Sequence, residues 1–152
     1  MGTGRPFFQR CEARDVGEVR VNLSVEGLSH PRGRLTCTAL VDTGAVGLVL
    51  PAAWRDRLGA LPEMEVVDLE LADQRVVTAE VRGPVRIQLD GFRRVVGEVI
   101  LADMLPRPDG SFEPLVGYTI LELCNVVIDM RRHCLVARKY YPLKGLRSRT
   151  AA

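Results

Sequence analysis

The sequence lacks the cysteine patterns of zinc-binding and disulfide-stabilised proteins. Its four cysteines are Cys11, Cys37, Cys124 and Cys134, and no two of them form a C-x-x-C pair. This spacing argues against a structural zinc site. An even number of cysteines permits disulfides, but no secretory pattern at the start of the chain favours them. We therefore expect no metal and no other cofactor.

Long apolar runs and a strong excess of one charge are missing as well. No apolar run approaches the roughly 18 residues of a membrane span. The start has no charged segment followed by an apolar one, and Pro6 stands where a myristoylation motif needs Ser or Thr. The formal net charge is only +2, which is a weak electrostatic basis for nucleic-acid binding. We expect a cytoplasmic protein with no membrane and no nucleic-acid partner.

What the chain does contain is a series of short alternating segments separated by turn signals. Val19 to Glu26 places apolar residues at every second position, which predicts a half-buried strand, and Leu35 to Val41 returns beside it. Gly83-Pro84 is expected to separate two strands, and Asp90-Gly91 predicts a hairpin. This pattern predicts an all-β barrel with one or two short helices.

The length and composition fit one globular domain. The chain has 152 residues, of which 47% are hydrophobic and 26% charged, as is usual for a soluble domain. We assign residues 1–16 to an N-terminal arm, with Phe7-Phe8 as its apolar anchor, and residues 17–143 to the domain. Residues 144–152 are expected to form a basic, flexible tail.

The strongest chemical signal lies in the sequence Leu40-Val41-Asp42-Thr43-Gly44-Ala45. An apolar strand leads there into a carboxylate, a hydroxyl and a glycine. A carboxylate at the end of a buried strand is costly unless it is hydrogen-bonded or functional. The Thr can form local hydrogen bonds, and the Gly lets another backbone or a substrate come close. These residues therefore indicate a functional site.

Asp-Thr-Gly-Ala is the signature of aspartic proteases, and the chain resembles their single-lobed, retropepsin-like branch (clan AA). An apolar strand, Val46 to Leu50, follows the motif. Leu115-Val116-Gly117, with an apolar helix behind it, resembles the second apolar-apolar-Gly segment of that family. The resemblance implies the closed β-barrel of acid proteases, no cofactor, and a cellular, bacterial relative.

The motif occurs only once, whereas two-lobed pepsins carry it twice. The resemblance therefore implies a homodimer in which Asp42 of each chain contributes to one catalytic dyad. Two carboxylates that share a proton can activate water and protonate the leaving amine, and aspartic proteases are the standard case of this chemistry. Thr43 would hold the loop, Gly44 would leave room for the substrate backbone, and Ala45 would line the floor. The implied activity is hydrolysis of peptide bonds in a peptide or protein substrate.

The resemblance also implies a substrate groove. The hairpin from about Leu69 to Val77 occupies the position of the family's flap, with Ala72, Asp73 and Gln74 at its tip. Apolar residues next to the motif and in the second segment are expected to line pockets for apolar substrate side chains; they are Leu48, Val49, Leu115 and Val116.

Two features depart from the retroviral pattern. The flap tip has no glycine, since it reads Ala72-Asp73-Gln74-Arg75. Retroviral members also carry acidic residues soon after the motif and an Arg after the second glycine, and these brace the dimer. Here Val46, Gly47 and Tyr118 stand at those positions. Both partners of the ion pairs are missing together, so the viral type of bracing is not expected.

Two other functions stay open. A catalytically silent β-barrel of the same fold would bind peptides or proteins in the same groove, and a nucleic-acid-linked module would use the Arg residues. Asp129 ends an apolar strand but lacks a following Thr-Gly, so we expect it to begin a turn. His30 and His133 are expected to be solvated turn residues and not metal ligands or a catalytic base.

Overall fold

The computed structural model of the protein describes residues 17–29 and 33–141. The proposed arm at 1–16, with Phe7-Phe8 and Cys11, lies outside the described residues, as do His30 and the tail at 144–152. No helix in the described ranges is long and apolar enough to cross a membrane.

Strands make up half of the described chain, in agreement with the all-β prediction. Two short helices accompany them. The strands are β1 (Arg20–Gly27), β2 (Arg34–Val41), β3 (Leu48–Pro51), β4 (Glu63–Glu70), β5 (Val76–Leu89), β6 (Arg94–Ala102), β7 (Leu115–Val116), β8 (Val126–Asp129) and β9 (Cys134–Ala137), and the helices are a 3₁₀ helix (Ala52–Leu58) and α1 (Tyr118–Leu123).

The main sheet closes on itself. Its strand order is β1-β2-β7-β3-β6-β5-β4, and β1 also pairs with β5. Strands β1, β2, β7, β3, β6 and β5 therefore form a ring, from which β4 extends as an edge strand. The hairpin of β8 and β9 is a separate two-stranded sheet. The two-residue strand β7 is inserted between β2, to which it is parallel, and β3, to which it is antiparallel.

Alternation along the strands divides the apolar side chains between two clusters. The main core is enclosed by the ring and includes Val21, Leu23 and Val25 of β1, all nearly inaccessible to water. A second, smaller cluster lies on the other face of β3 and β6. Its buried members are Val49, Ala79, Val81, Ile100 and Ala102, and Val67, Leu69, Met104 and Leu115 pack against them half-buried.

Strand β5 corrects one expectation from the sequence. The prediction that Gly83-Pro84 separates two strands is wrong, because β5 runs through both residues. The pairing of β5 with β6 shifts register between Arg82 and Val85, so the missing N–H of the proline falls at an irregularity, where strands tolerate it. The backbone of Gly83 lies close to β6, since a Cβ at Gly83 would be 3.3 Å from the carbonyl oxygen of Gly97.

Candidate active site

Asp42 directly follows β2, at the point where this strand pairs with β7. β7 aligns Leu115 and Val116 with Leu40 and Val41 of β2. The backbone N–H of Asp42 donates to the carbonyl of Val116 across 3.0 Å. The carboxylate is therefore placed by the pairing of two strands that are far apart in the sequence.

A tight turn orients the Asp42 side chain. Ala45 N–H donates to the Asp42 carbonyl at 3.1 Å, and Gly44 N–H donates to Asp42 Oδ1 at 2.8 Å. Asp42 is half-buried, while Thr43 and Gly44 are exposed. One carboxylate oxygen is thus held by a backbone donor, and the turn presents the group at the protein surface. Such an arrangement suits a carboxylate that accepts or gives a proton.

Residues 117–119 hold the loop that follows Asp42. Gly117 N–H donates to the Gly47 carbonyl at 2.8 Å and Tyr118 N–H to the Ala45 carbonyl at 3.0 Å. The Val46 carbonyl accepts both the N–H of Thr119, at 3.2 Å, and its hydroxyl, at 2.6 Å. Sequence reasoning missed Thr119, because a hydroxyl in an apolar helix has no local pattern that reveals a partner 73 positions away.

The four apolar residues expected to line pockets fall on two different faces. Leu48 and Val116 are completely buried in the main core. Neither side chain reaches the surface of the single chain, and the expectation that they line a groove stays a prediction. Val49 and Leu115, their neighbours in β3 and β7, belong to the second cluster because successive strand residues point to opposite faces. A role of Val49 and Leu115 in binding a substrate remains a prediction.

The second cluster forms an apolar wall between the Asp42 loop and the β4–β5 hairpin. Leu115 belongs to β7, which pairs with the strand that ends at Asp42, and Val67 and Leu69 belong to β4. Met104 completes the wall from the segment after β6. Val67 and Met104 were not predicted from the sequence. Alternation in β4 was the available signal for Val67, whereas Met104 lies in an irregular segment.

The β4–β5 hairpin confirms the expected position of the tip. Leu71 N–H donates to the Arg75 carbonyl at 2.8 Å, and Gln74, with φ of 66°, adopts the left-handed conformation that glycine usually supplies. Asp73 accepts Arg75 N–H at Oδ1 and Arg75 Nε at Oδ2, at 3.1 and 2.6 Å. These bonds to Arg75 lower the pKa of Asp73 below its ordinary value. An ion pair thus braces a turn that lacks glycine.

A second ion-pair cluster supports the segment in front of β7. Glu113 contacts both Arg20 and Arg107. Partial burial alone would raise the pKa of Glu113, but the hydrogen bonds and charges of the two arginines lower it on balance. The next residue, Pro114, accepts the Leu40 N–H at 2.9 Å. The cluster therefore lies beside the β2–β7 contact that places Asp42.

Two exposed side chains, Val46 and Tyr118, lie beside the Asp42 loop. Val46 is 45% and Tyr118 44% exposed, and their backbones are adjacent, because Ala45 and Val46 accept hydrogen bonds from Tyr118 and Thr119. Within residues 17–29 and 33–141, no group forms a hydrogen bond with the Thr43 hydroxyl. The two exposed side chains next to the carboxylate loop are therefore uncharged.

The other candidate groups lie in turns. Asp129 Oδ1 accepts the N–H groups of Arg131 and Arg132 at 2.9 and 3.1 Å, which confirms its assignment as a turn-forming residue. His133 is half-buried in the same turn with φ of 50°. In the part of the chain that the structure describes, no cluster of three or more His, Cys, Asp or Glu residues is arranged to hold a metal ion.

Comparison with known proteins agrees with this geometry. The profile of a protein family described as aspartyl protease matches residues 21–119, a range that includes Asp42 and the segment that holds its loop. No curated protein matches the chain. Among solved structures, EIAV protease complexed with the inhibitor HBY-793 is similar, with a TM-score of 0.51 and 19% identity over 75% of this chain and 92% of that chain. At that identity the likeness concerns the fold, and it confirms the retropepsin-like architecture.

Proposed function

Because the chain belongs to the aspartyl protease family, we propose that it is an aspartic endopeptidase in which Asp42 acts together with Asp42 of a second copy. The observation that carries this proposal is the Asp42 carboxylate itself. It is oriented by Gly44 N–H and presented at the surface by a loop held to residues 116–119. The proposed substrate is a peptide or protein.

The second copy is required by the chemistry. Two carboxylates at close distance share one proton, because like charges there cannot both ionise. The ionised Asp42 removes a proton from water as the water oxygen attacks the scissile carbonyl carbon. The protonated Asp42 gives its proton to the carbonyl oxygen, a tetrahedral gem-diol forms, and the pair again holds one proton. As the carbon–nitrogen bond breaks, the pair gives that proton to the leaving amine and takes one back from a hydroxyl of the gem-diol, which becomes the carboxylic acid. One chain carries the motif once, so it supplies one of the two groups.

The exposed face beside the loop suits contact with an identical copy. In a two-fold dimer each residue near the axis meets its own equivalent, and like charges there would repel. Val46 and Tyr118 are uncharged and more than two-fifths exposed. The Thr43 hydroxyl is available for a hydrogen bond across the axis. We therefore expect a largely apolar contact in place of the ion pairs of retroviral members.

The apolar wall defines the expected substrate preference. An extended peptide beside the β4–β5 hairpin would bind through its backbone and place alternate side chains in pockets. Val49, Leu115 and Leu69 are apolar and lie on one face, so we expect apolar residues next to the cleaved bond. The hairpin tip at Ala72, Asp73 and Gln74 would close over the peptide and exclude water.

Cleavage of a peptide library from about pH 3 to 7 tests the proposal, since this range brackets carboxylate titration. The parent is compared with Asp42→Asn and with Asp129→Asn, which removes a turn carboxylate elsewhere. We expect cleavage by the parent and by Asp129→Asn, and none by Asp42→Asn. Cleavage by Asp42→Asn would overturn the assignment.

Mixing the two proteins tests the sharing of the dyad. When Asp42→Asn is added in equal amount to a fixed amount of parent and the chains exchange freely, inactive mixed dimers should lower total activity to about half. Unchanged activity at full exchange would mean that one chain suffices, and the dimeric dyad would be wrong.

The β4–β5 tip favours one alternative, a silent peptide-binding protein. Its turn is held by the Asp73–Arg75 ion pair and has no glycine, so it is stiffer than a glycine-rich lid. A folded dimer that binds library peptides without cleaving any of them would support this alternative.

A further inference from the structure

Backbone groups make most of the bonds between the Asp42 loop and residues 116–119. They join Asp42 to Val116, Gly47 to Gly117 and Ala45 to Tyr118. Within the described ranges, the one side-chain hydrogen bond between these two segments is donated by the Thr119 hydroxyl. Substitution can remove this contact without changing the backbone.

The Thr119 bond links the loop to a fixed element. Thr119 lies in the first turn of α1, and its neighbours Ile120 and Leu121 are buried in the main core at 3% and 6% exposure. The hydroxyl reaches the Val46 carbonyl at 2.6 Å, a length at the short end for hydroxyl donors. The hydroxyl thus ties the middle of the loop to a helix that is packed in the core.

We propose that Thr119 is a positioning residue for the Asp42 carboxylate. Its hydroxyl fixes the peptide group of Val46, which follows Ala45 directly. Ala45 N–H closes the turn on the Asp42 carbonyl, and the same turn aims Gly44 N–H at Asp42 Oδ1. A shift of Val46 would therefore change the direction of the carboxylate. As far as turnover is concerned, this inference rests on the proposed function.

Loss of the hydroxyl should affect position more than stability. When it is removed, the Val46 carbonyl keeps its bond from the Thr119 N–H at 3.2 Å, so no acceptor is left without a partner. When a catalytic group is misplaced by about 1 Å, in contrast, the reaction rate can fall about 100-fold. This difference separates a positioning role from a merely structural one.

The experiment compares Thr119→Val, Thr119→Ser and a matched control, Thr38→Val. Thr38 also donates a 2.6 Å hydrogen bond, to Asn22 Oδ1, but on the outer face of β1 and β2. We expect Thr119→Val to speed amide exchange at Gly44 and Ala45 roughly tenfold. We also expect kcat to fall about tenfold with little change in KM. Thr119→Ser should restore both values, and Thr38→Val should change neither.

Amide exchange tests whether Thr119 holds the loop, and peptide turnover tests whether the loop is catalytic. If exchange at Gly44 and Ala45 is the same in Thr119→Val and the parent, the positioning role is wrong, whatever the activity. An equal loss in Thr119→Ser and Thr119→Val would also overturn it, because the hydroxyl would then be irrelevant. If the parent cleaves nothing, the proposed function fails, and the exchange measurement still decides whether Thr119 holds the loop.

Discussion

Gly117 and Ala45 approach so closely that no side chain fits between them. A Cβ on Gly117 would lie 2.3 Å from the Ala45 carbonyl oxygen and 2.6 Å from the Gly47 nitrogen. The φ of Gly117 is −86°, which any residue can adopt, so glycine is needed there for space and not for its backbone freedom. The segment after β7 and the Asp42 loop are thus in direct backbone contact.

Gly117→Ala should therefore displace the Asp42 loop. The added methyl group meets backbone atoms, which cannot rotate away, so we expect a loss of about 2–4 kcal/mol in the free energy of unfolding. Cleavage should fall as well, because the loop carries the proposed catalytic group. Thermal unfolding and peptide cleavage measure the two effects.

Gly47→Ala is the matched control for that substitution. It adds the same methyl group to the same loop, but the nearest atoms would lie 3.6 Å away, at an ordinary contact distance. We expect a change in stability within about 1 kcal/mol. Equal destabilisation by the two variants would show that the close approach of Gly117 and Ala45 is not the cause.

The division of the apolar residues between two faces predicts that substitution of Leu48 affects mainly stability and substitution of Leu115 mainly substrate binding. Leu48→Ala should cost about 2–5 kcal/mol of unfolding free energy, since Leu48 is completely buried in the main core. Leu115→Ala should cost less, because Leu115 is half-buried, but should raise KM for peptides with large apolar residues at the cleaved bond. Denaturant unfolding and peptide kinetics test the pair; an unchanged KM in Leu115→Ala would remove this residue from the groove.

The Asp73–Arg75 pair predicts that the hairpin tip loosens in acid. The pKa of Asp73 is lowered by its bonds to Arg75. The contribution of this ion pair to the stability of the tip is therefore fully present above the ordinary aspartate pKa of about 4. It is lost as the pH falls through the lowered pKa that Asp73 has in the folded protein. The protection factors of the Gln74 and Arg75 amides, which compare their exchange rates with those of an unstructured chain at the same pH, should be steady at neutral pH and fall at the acid end.

Asp73→Asn provides the comparison for the tip. The amide keeps an acceptor for the Arg75 N–H but removes the charge. The protection factors at Gln74 and Arg75 should therefore be lower at neutral pH and should lack the acid step. A parent whose tip behaves like Asp73→Asn throughout would contradict a role of the ion pair.

Burial predicts that Cys37 reacts slowly although it is partly accessible. Desolvation raises the pKa of its thiol to about 11, an effect that the nearby charge of Arg57 only partly opposes. At pH 8 the reactive thiolate should be about 100-fold scarcer than for a thiol at the ordinary pKa of 9.0. Alkylation by iodoacetamide, followed by mass spectrometry, should be correspondingly slower in the folded protein than in urea. Equal rates would show that the thiol is not protected.

Local patterns in the sequence determined several features of this protein. Alternation placed β1 and β2, and the apolar run before Asp42 put the carboxylate at the end of a strand. The turn residues at 72–74 located the tip of the β4–β5 hairpin. These predictions succeeded because each depends on residues within one strand or one turn, where side-chain period and backbone preference are readable.

Only the tertiary structure decided how these pieces act together. Closure of the ring through β1 and β5, the burial of Leu48 in the main core, and the continuation of β5 through Gly83-Pro84 all depend on partners distant in sequence. The same is true of the Thr119–Val46 bond, whose residues are 73 positions apart. No local period encodes such contacts, because they arise from packing after the strands have paired. The sequence by itself therefore determined which residue presents the carboxylate, and the packing determined what holds it in place.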